Sequence, residues 1–242
     1  MAHFDETGAQ IAGRLGWVHS ASTGKLTRYA AHARRGGEAI DAAGVLPGFA
    51  GVAVHDRWAP YRNDPGCAHG LCNIHHLREL AAAAEAGHVW PVAMSCLLLD
   101  TKDAVARARG AGTERLDPTR SAELAASFQT IIAMGHEEHP ARAGKRSKAH
   151  NLLVRLERYE PDVLRFAHDF RVPFGNHQVE QDIRMVKLQQ KISGCWRTPE
   201  GAERFLTVRS YITTARKHGL DARDVLARLA AGQPWLPAPA PT

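Results

Sequence analysis

The stretch GVAVHDRW at residues 51–58 decides the predicted fold. It is an apolar run that follows the turn-forming pair Pro47-Gly48 and ends at the charged pair Asp56-Arg57. A short apolar run bounded in this way is typical of a buried β-strand. We therefore predict a buried strand over residues 49–55, with Asp56 at the point where the chain leaves the sheet.

The sequence before this strand predicts three further strands and one short helix. The strands cover residues 3–5, 11–20 and 26–31, and Ser22-Thr23-Gly24 forms the turn between the last two. The helix covers residues 36–43 and ends at a glycine. Most of the predicted sheet therefore lies in the first quarter of the chain.

The sequence after residue 72 predicts helices. Their first residues or N-caps are Asn73, Ser121, Asn176, Pro199 and Asp221. Strands that are followed by helices in this order predict an α/β fold built on a mixed sheet.

Length and composition favour a globular protein with one large domain or two small ones. The 242 residues are 44% apolar and 23% charged, and the four cysteines are too few and too uneven for a disulfide scaffold. No basic-then-apolar leader opens the chain, and the longest nearly uncharged run, residues 89–99, is too short to span a bilayer. These features predict a cytoplasmic protein.

Positive charge is concentrated in one part of the chain. The net charge is +6, but residues 142–217 hold 16 Lys and Arg against 8 Asp and Glu. A basic block of this kind suits a polyanion such as a nucleic acid, and a solvated charged surface is the alternative.

Three acidic residues stand out by their context: Asp5 in the first strand, Asp56 after the buried strand, and Glu180 in a helix of the basic block. Three carboxylates brought together can hold two Mg²⁺ ions, which activate the nucleophile and stabilise the leaving oxygen at a phosphodiester. Each acid also has a plainer interpretation. Asp56 suits a turn or cap, Asp5 a turn beside Glu6, and Glu180 a surface ion pair with Arg184.

The helix that carries Glu180 is predicted to bind phosphate. Arg184, Lys187 and Lys191 follow Glu180 along one polar stripe, at spacings of 4, 3 and 4 residues. Such a stripe can hold a nucleic-acid backbone beside a carboxylate that holds a metal. In the loop that follows, Trp196 either stacks on an unpaired base or lies in the core.

Four separated motifs stand out along the chain: HFDETG (residues 3–8), GVAVHDRW (51–58), CNIHHLREL (72–80) and NHQVEQDIRMVK (176–187). Together they resemble the insertion-sequence-66 family of bacterial transposases, and the match continues through QQKISG (189–194) and residues 201–229. The resemblance implies a ribonuclease-H-like core with a helical insertion and C-terminal helices. It carries the family's Asp, Asp, Glu triad over to Asp5, Asp56 and Glu180.

The resemblance also implies a division of the chain. Residues 1–76 would form the first part of the ribonuclease-H-like core, residues 77–175 a mainly helical insertion, residues 176–232 the catalytic Glu helix with the C-terminal helices, and residues 233–242 a Pro-rich tail. Family members carry an N-terminal region that recognises the ends of the element, and this sequence begins four residues before Asp5. We therefore expect a catalytic domain that lacks this region. Whether the domain is active without it is a separate question.

The activity that the resemblance implies is DNA transposition in the bacterial cytoplasm, at the nucleoid. Two Mg²⁺ or Mn²⁺ ions at the triad would support cutting at the element's ends and in-line joining of the freed 3′ hydroxyl to target DNA. The partners would be DNA and further copies of the chain in a synaptic complex, with no membrane. The alternatives are a non-catalytic DNA-binding remnant of an element and a ribonuclease-H-like nuclease.

A cluster of cysteine and histidine residues lies between the second Asp and the Glu. Cys67, His69, Cys72 and His75 fall within nine residues, and two thiols with two imidazoles suit tetrahedral Zn²⁺. The pair Cys72-x-x-His75 resembles instead a family signature that supports the active site, and a buried thiol beside a hydrogen-bonded histidine is the plain alternative. Arg78, one turn further on, is predicted to contact DNA phosphate or to pair with an acid.

Overall fold

The computed structural model describes residues 1–63, 66–139 and 146–238. Its strands are β1 (Ala2–Ile11), β2 (Arg14–Ser22), β3 (Thr27–His32), β4 (Val52–His55) and β5 (Ala68–Leu71). They form one mixed sheet in the order β3-β2-β1-β4-β5. The predicted α/β class with a mixed sheet is therefore confirmed.

The described part of the chain also contains ten α-helices and one short 3-10 helix (Ala59–Arg62). The α-helices are α1 (Gly37–Ala43), α2 (Asn73–Glu85), α3 (Trp90–Gly110), α4 (Pro118–Glu138), α5 (Lys148–Arg158), α6 (Glu160–Val163), α7 (Arg165–His168), α8 (His177–Ser193), α9 (Pro199–Lys217) and α10 (Ala222–Ala230). No helix within the described ranges carries an apolar stretch long enough to cross a bilayer.

The chain divides into two compact units. Unit 1 comprises Met1–Ala53, Trp58–Cys67 and His177–Thr242, and unit 2 comprises Val54–Arg57 and Ala68–Asn176. The boundary falls within β4, so the first two residues of this strand belong to unit 1 and the last two to unit 2.

An antiparallel three-stranded meander forms the sheet of unit 1. β1 pairs with β2 as far as Ile11 opposite Arg14, and β2 pairs with β3. The turn between β1 and β2 consists of Ala12 at φ 51° and Gly13 at φ 73°, the two left-handed residues of a type I′ hairpin. The prediction of a strand over residues 11–20 is therefore wrong at its start, because Ile11 ends β1.

The core of unit 1 lies between this sheet and two helices. α8 packs against β1 and β2, and α9 packs against β3. The buried side chains of this cluster include Val18, Tyr29, Val186, Trp196 and Leu206. The predicted apolar face of α8 is confirmed, since Val179, Ile183 and Val186 are all buried.

Unit 2 is mainly helical. α3 packs against α2 and α4, and α5 packs against the same two helices. Phe128 and Leu124 lie on the buried face of α4, as predicted, together with Ile131 and Ile132. Trp90, the first residue of α3, is also fully buried in unit 2.

The predicted helix starts have mixed outcomes. α2 begins at Asn73 and α9 begins at Pro199, as predicted. The prediction that Ser121 is the N-cap of α4 is wrong, because the Asp117 side chain accepts the backbone N–H of Arg120 at 2.9 Å and the helix starts at residue 118. The sequence also gave no indication of β5, a strand of only four residues that directly precedes the helices.

Candidate active site

Asp5 and Glu6 are neighbours on β1, and consecutive side chains on a strand point to opposite faces of the sheet. Glu6 is buried and accepts hydrogen bonds from Arg35 Nε at 2.9 Å, from Arg35 Nη2 at 2.6 Å and from the Tyr61 hydroxyl. The Arg35 guanidinium also lies 4.8 Å from the centroid of the Trp17 ring. Glu6 is thus engaged inside unit 1, whereas the half-buried Asp5 accepts the backbone N–H of Glu6 at 2.9 Å with its Oδ1.

Glu180 lies one turn into α8, and its side chain is 22% exposed. Its Oε2 atom lies 3.6 Å from Nδ1 of His177, the first residue of the helix. Arg184, Lys187 and Lys191 are exposed on the same helix, so the predicted cationic stripe is accessible to a phosphate backbone in unit 1.

A buried ion pair lies two residues beyond Glu180, and the sequence did not predict it. Asp182 Oδ2 accepts hydrogen bonds from Lys217 Nζ at 2.8 Å, from the Ser22 hydroxyl at 2.6 Å and from the Thr27 hydroxyl at 3.2 Å. These contacts join the start of α8 to β2, β3 and the end of α9. They fix the rotation and height of the helix that presents Glu180.

Tyr29 completes this network from β3. Its hydroxyl donates to the backbone carbonyl of Asp182 at 2.9 Å. Burial raises the pKa of Tyr29 to about 12, and the nearby Asp182 carboxylate adds to this. The hydroxyl therefore stays protonated and remains a donor at neutral pH.

Asp56 directly follows β4, as predicted, and belongs to unit 2. The residue before it, His55, is fully buried. Its Nδ1 contacts the Asp56 carbonyl, its Nε2 lies 3.0 Å from His69 Nδ1, and its own carbonyl accepts the N–H of Cys72 at 3.0 Å. These contacts hold the backbone from which the Asp56 side chain projects.

Cys72 and His75 meet at the start of α2. The Cys72 Sγ and an imidazole nitrogen of His75 lie within 4.8 Å of each other, and His75 Nδ1 is buried with no hydrogen-bond partner among the described residues. The Cys72 Sγ also accepts the backbone N–H of Asn176 at 3.2 Å. Cys72 therefore connects the residue that precedes Asp56 to the residue that precedes α8.

The other two members of the predicted zinc set have different surroundings. Cys67 belongs to unit 1, where it packs against the cluster that contains Phe4 and Tyr61. His69 lies on β5 in unit 2, where its Nδ1 is bonded to His55 and its carbonyl accepts from Arg165. Cys72 and His75 are thus the two members that the structure of unit 2 brings together.

Two predicted DNA-binding residues differ in their exposure. Arg78 is exposed on α2, and its neighbour Glu79 is paired with Arg57 at 2.6 Å and with Arg155.

Trp196 is only 7% exposed and lies in the core cluster of unit 1. Its backbone N–H donates to the Gln10 carbonyl at 3.0 Å, which ties the loop after α8 to β1. Of the two alternatives given for Trp196, stacking on a base or a position in the core, the structure shows the core position.

The fold indicates a class of protein. A five-stranded mixed sheet with ten α-helices in the described residues is consistent with a ribonuclease-H-like α/β fold. The family described as "Transposase IS66 family" matches residues 1–204 of the chain. The chain therefore belongs to the IS66 family of transposases, which supports a transposase function with DNA as the partner. A search of curated proteins and a search of solved structures each found no match.

Proposed function

We propose that the chain is the metal-dependent catalytic domain of a DNA transposase, with Asp5, Asp56 and Glu180 as the ligands of its divalent ions. Membership of the IS66 family supports the transposase function. The observation that best supports this site is that Cys72 forms two hydrogen bonds to the backbone. Its N–H donates to the carbonyl of His55, the residue before Asp56. Its Sγ accepts the N–H of Asn176, the residue before the helix that holds Glu180.

The chemistry of the three side chains fits Mg²⁺ or Mn²⁺. Carboxylate oxygens are the hard ligands that Mg²⁺ prefers, and three carboxylates leave positions for water and substrate phosphate. The motif match assigns the metal-binding role to Asp5, and the neighbouring Glu6 carboxylate is bonded to Arg35 and Tyr61. Two bound ions would polarise the scissile phosphate and lower the pKa of the attacking water or 3′ hydroxyl.

The proposed reaction cuts DNA at the ends of the element and joins the freed 3′ hydroxyl to target DNA. Attack is in line and needs no covalent enzyme intermediate, so no nucleophilic side chain is required of the site. Arg184, Lys187 and Lys191 hold the phosphate backbone along α8. Several copies of the chain assemble on the DNA ends in a synaptic complex.

Near-isosteric variants of the three acids test the proposal. Asp5→Asn, Asp56→Asn and Glu180→Gln should each abolish Mg²⁺- or Mn²⁺-dependent cleavage and joining of a DNA fragment that carries the ends of the encoding element. Asp100→Asn and Glu203→Gln, which change exposed residues, are the matched controls. Both should keep the activity of the wild type. Circular dichroism checks that each variant is folded. Activity that survives in folded Asp56→Asn would refute the assignment.

DNA binding is tested separately from chemistry. Lys187→Gln and Lys191→Gln should each lower the slope of log affinity against log salt concentration by about 1, because each removes one phosphate contact. Arg107→Gln, at an exposed position on α3, is the control and should leave the slope unchanged. Steeply salt-dependent binding without any metal-dependent cleavage by the wild type would favour a non-catalytic DNA-binding protein.

A further inference from the structure

Four histidines lie together in unit 2 and have no part in the proposed reaction. His88 precedes α3, His136 and His139 lie at the end of α4, and His150 lies in α5. The ring centroids of His88 and His139 are 4.5 Å apart, those of His139 and His150 are 5.1 Å apart, and those of His136 and His150 are 6.3 Å apart. Three separate segments of the chain therefore bring imidazole rings to one place.

Among the three histidines nearest one another, His88 has a hydrogen bond like that of a metal ligand. His88 Nδ1 lies 3.3 Å from Glu138 Oε2, and His136 Nε2 lies 3.0 Å from Glu157 Oε2. A histidine that binds a metal usually donates its other ring N–H to a carboxylate in this way, which fixes its tautomer and orientation. His139 Nε2 is buried and has no hydrogen-bond partner within the described ranges. One ring nitrogen is therefore unsatisfied inside the cluster.

We propose that His88, His139 and His150 bind one divalent transition-metal ion of the Zn²⁺ class. Two imidazoles on one tetrahedral Zn²⁺ at about 2.0–2.1 Å per nitrogen have ring centres roughly 5 Å apart, which is close to the two shorter distances in the cluster. Imidazole suits Zn²⁺, Ni²⁺ and Cu²⁺, whereas Mg²⁺ prefers the oxygen ligands of the proposed active site. The histidine cluster and the triad therefore select different ions.

The side chains must rotate to close around the ion. The His139 and His150 rings are stacked with an interplanar angle of 3°, and the ligand nitrogens of the cluster do not all lie within 4.8 Å of one another. Burial lowers the pKa of His139 and also that of His150. Arg146 faces His150 and opposes a bound cation, while the Glu138 carboxylate beside His88 favours one.

Such an ion would join the start of α3 to the end of α4 and to α5. Glu138 already begins this connection, because its carboxylate accepts the backbone N–H groups of Val89 at 3.1 Å and Trp90 at 2.9 Å. A metal bound beside it would add three bonds between the same elements. Zn²⁺ should therefore raise the thermal midpoint of the metal-free protein.

The test is a titration of the full-length, metal-free protein with Zn²⁺, and with Co²⁺ as a spectroscopic probe, in the absence of DNA. We expect one equivalent that gives visible Co²⁺ absorption without a thiolate-to-metal charge-transfer band. The double variant His139→Gln/His150→Gln should weaken this binding by about tenfold or more. His168→Gln, at an exposed position on α7, is the matched control and should bind like the wild type.

Several outcomes would overturn the proposal. They are the absence of Zn²⁺ binding at micromolar concentrations, an affinity that is unchanged in the double variant, and a Co²⁺ spectrum with thiolate character, which would point to Cys72. If the double variant does not fold by circular dichroism, His88→Gln, in the segment between α2 and α3, replaces it with the same expected weakening. Asp56→Asn should keep the Zn²⁺ affinity of the wild type, so this result is independent of the proposed function.

Discussion

Lys217 Nζ lies 2.8 Å from Asp182 Oδ2 in the interior of unit 1, where the two side chains are only 11% and 10% exposed. Removing two charges from water costs several kcal/mol per ion, and this cost is offset only when hydrogen bonds satisfy the remaining polar atoms. Here the Ser22 and Thr27 hydroxyls supply those bonds on the carboxylate. The pair therefore holds α8, and with it Glu180, in one position against β2, β3 and α9.

Removing one member of this ion pair should lower the free energy of unfolding. Lys217→Met leaves the Asp182 carboxylate buried without its cation, and the expected loss of unfolding free energy is about 3–5 kcal/mol. Urea denaturation of the wild type and the variant measures this difference. The double variant Asp182→Asn/Lys217→Met should recover part of the loss, because no unpaired charge remains in the interior.

An exposed ion pair provides the control for this measurement. Arg34 and Glu38 lie 2.8 Å apart on the surface of unit 1, with side chains that are 75% and 62% exposed. Surface pairs contribute little because water and salt screen them, so Glu38→Gln should leave the unfolding free energy almost unchanged. Equal losses in Glu38→Gln and Lys217→Met would contradict the structural role of the buried pair.

The buried pair also shows where reasoning from the sequence reaches its limit on α8. Helical spacing predicted the apolar face with Val179 and Val186 and the polar stripe that begins at Glu180. Asp182 lies on the buried side of the helix, where the same spacing predicts an apolar residue. Its partner Lys217 is 35 residues away, and tertiary packing rather than any local pattern decides such a pairing.

The N-cap of α4 offers a second prediction. Asp117 Oδ1 accepts the Arg120 backbone N–H at 2.9 Å, while Ser121 lies inside the first turns of the helix. Asp117→Ala should therefore cost about 0.5–2 kcal/mol of unfolding free energy, as the loss of an N-cap does. Ser121→Ala is the matched control and should be close to neutral. If Ser121→Ala lost more unfolding free energy than Asp117→Ala, Ser121 would be the N-cap, as the sequence predicted.

Strong local signals were predicted correctly, and signals that depend on distant partners were not. Gly44 ends α1 at φ 67°, and Asp221 caps α10 by accepting the Arg223 N–H, because glycine and aspartate act on their immediate neighbours. The short strand β5 gives no such signal. The contacts of Glu6 with Arg35 and Tyr61, which lie 29 and 55 residues away, likewise give no local signal in the sequence.

Close packing of α4 against α5 leads to a third prediction. A Cβ atom on Gly135 would lie 2.9 Å from Leu153 Cδ2, and Leu153 is fully buried and has little room to move. Gly135→Ala should therefore cost about 1–3 kcal/mol through overpacking, despite the better helix propensity of alanine. Gly110→Ala, at the end of α3 with no atom within 4 Å of the added Cβ, should instead stabilise by up to about 1 kcal/mol. Thermal denaturation of both variants measures the contrast, and a stabilised Gly135→Ala would contradict the packing.

A buried histidine of unit 2 should make stability depend on pH. His76 is 1% exposed, and its Nδ1 lies 3.1 Å from Asn73 Oδ1. Because Asn73 Nδ2 donates to the Val163 carbonyl at 2.9 Å, the Asn73 oxygen is the acceptor and His76 Nδ1 is the donor. Burial lowers the pKa of His76 to about 3, and the positive charge of Arg155 adds to the effect. The ring is therefore neutral in the folded protein at neutral pH.

Protonation of His76 favours the unfolded chain, in which a histidine has a pKa of about 6.5. The unfolded state binds more protons between that value and the folded pKa of about 3, so stability is lost as the pH falls through this window. His76→Gln should be less stable near neutral pH, yet its thermal midpoint should fall less steeply with acid than that of the wild type. His168→Gln, at an exposed position, should keep the wild-type slope, and equal slopes for His76→Gln and the wild type would show that His76 is not the titrating group.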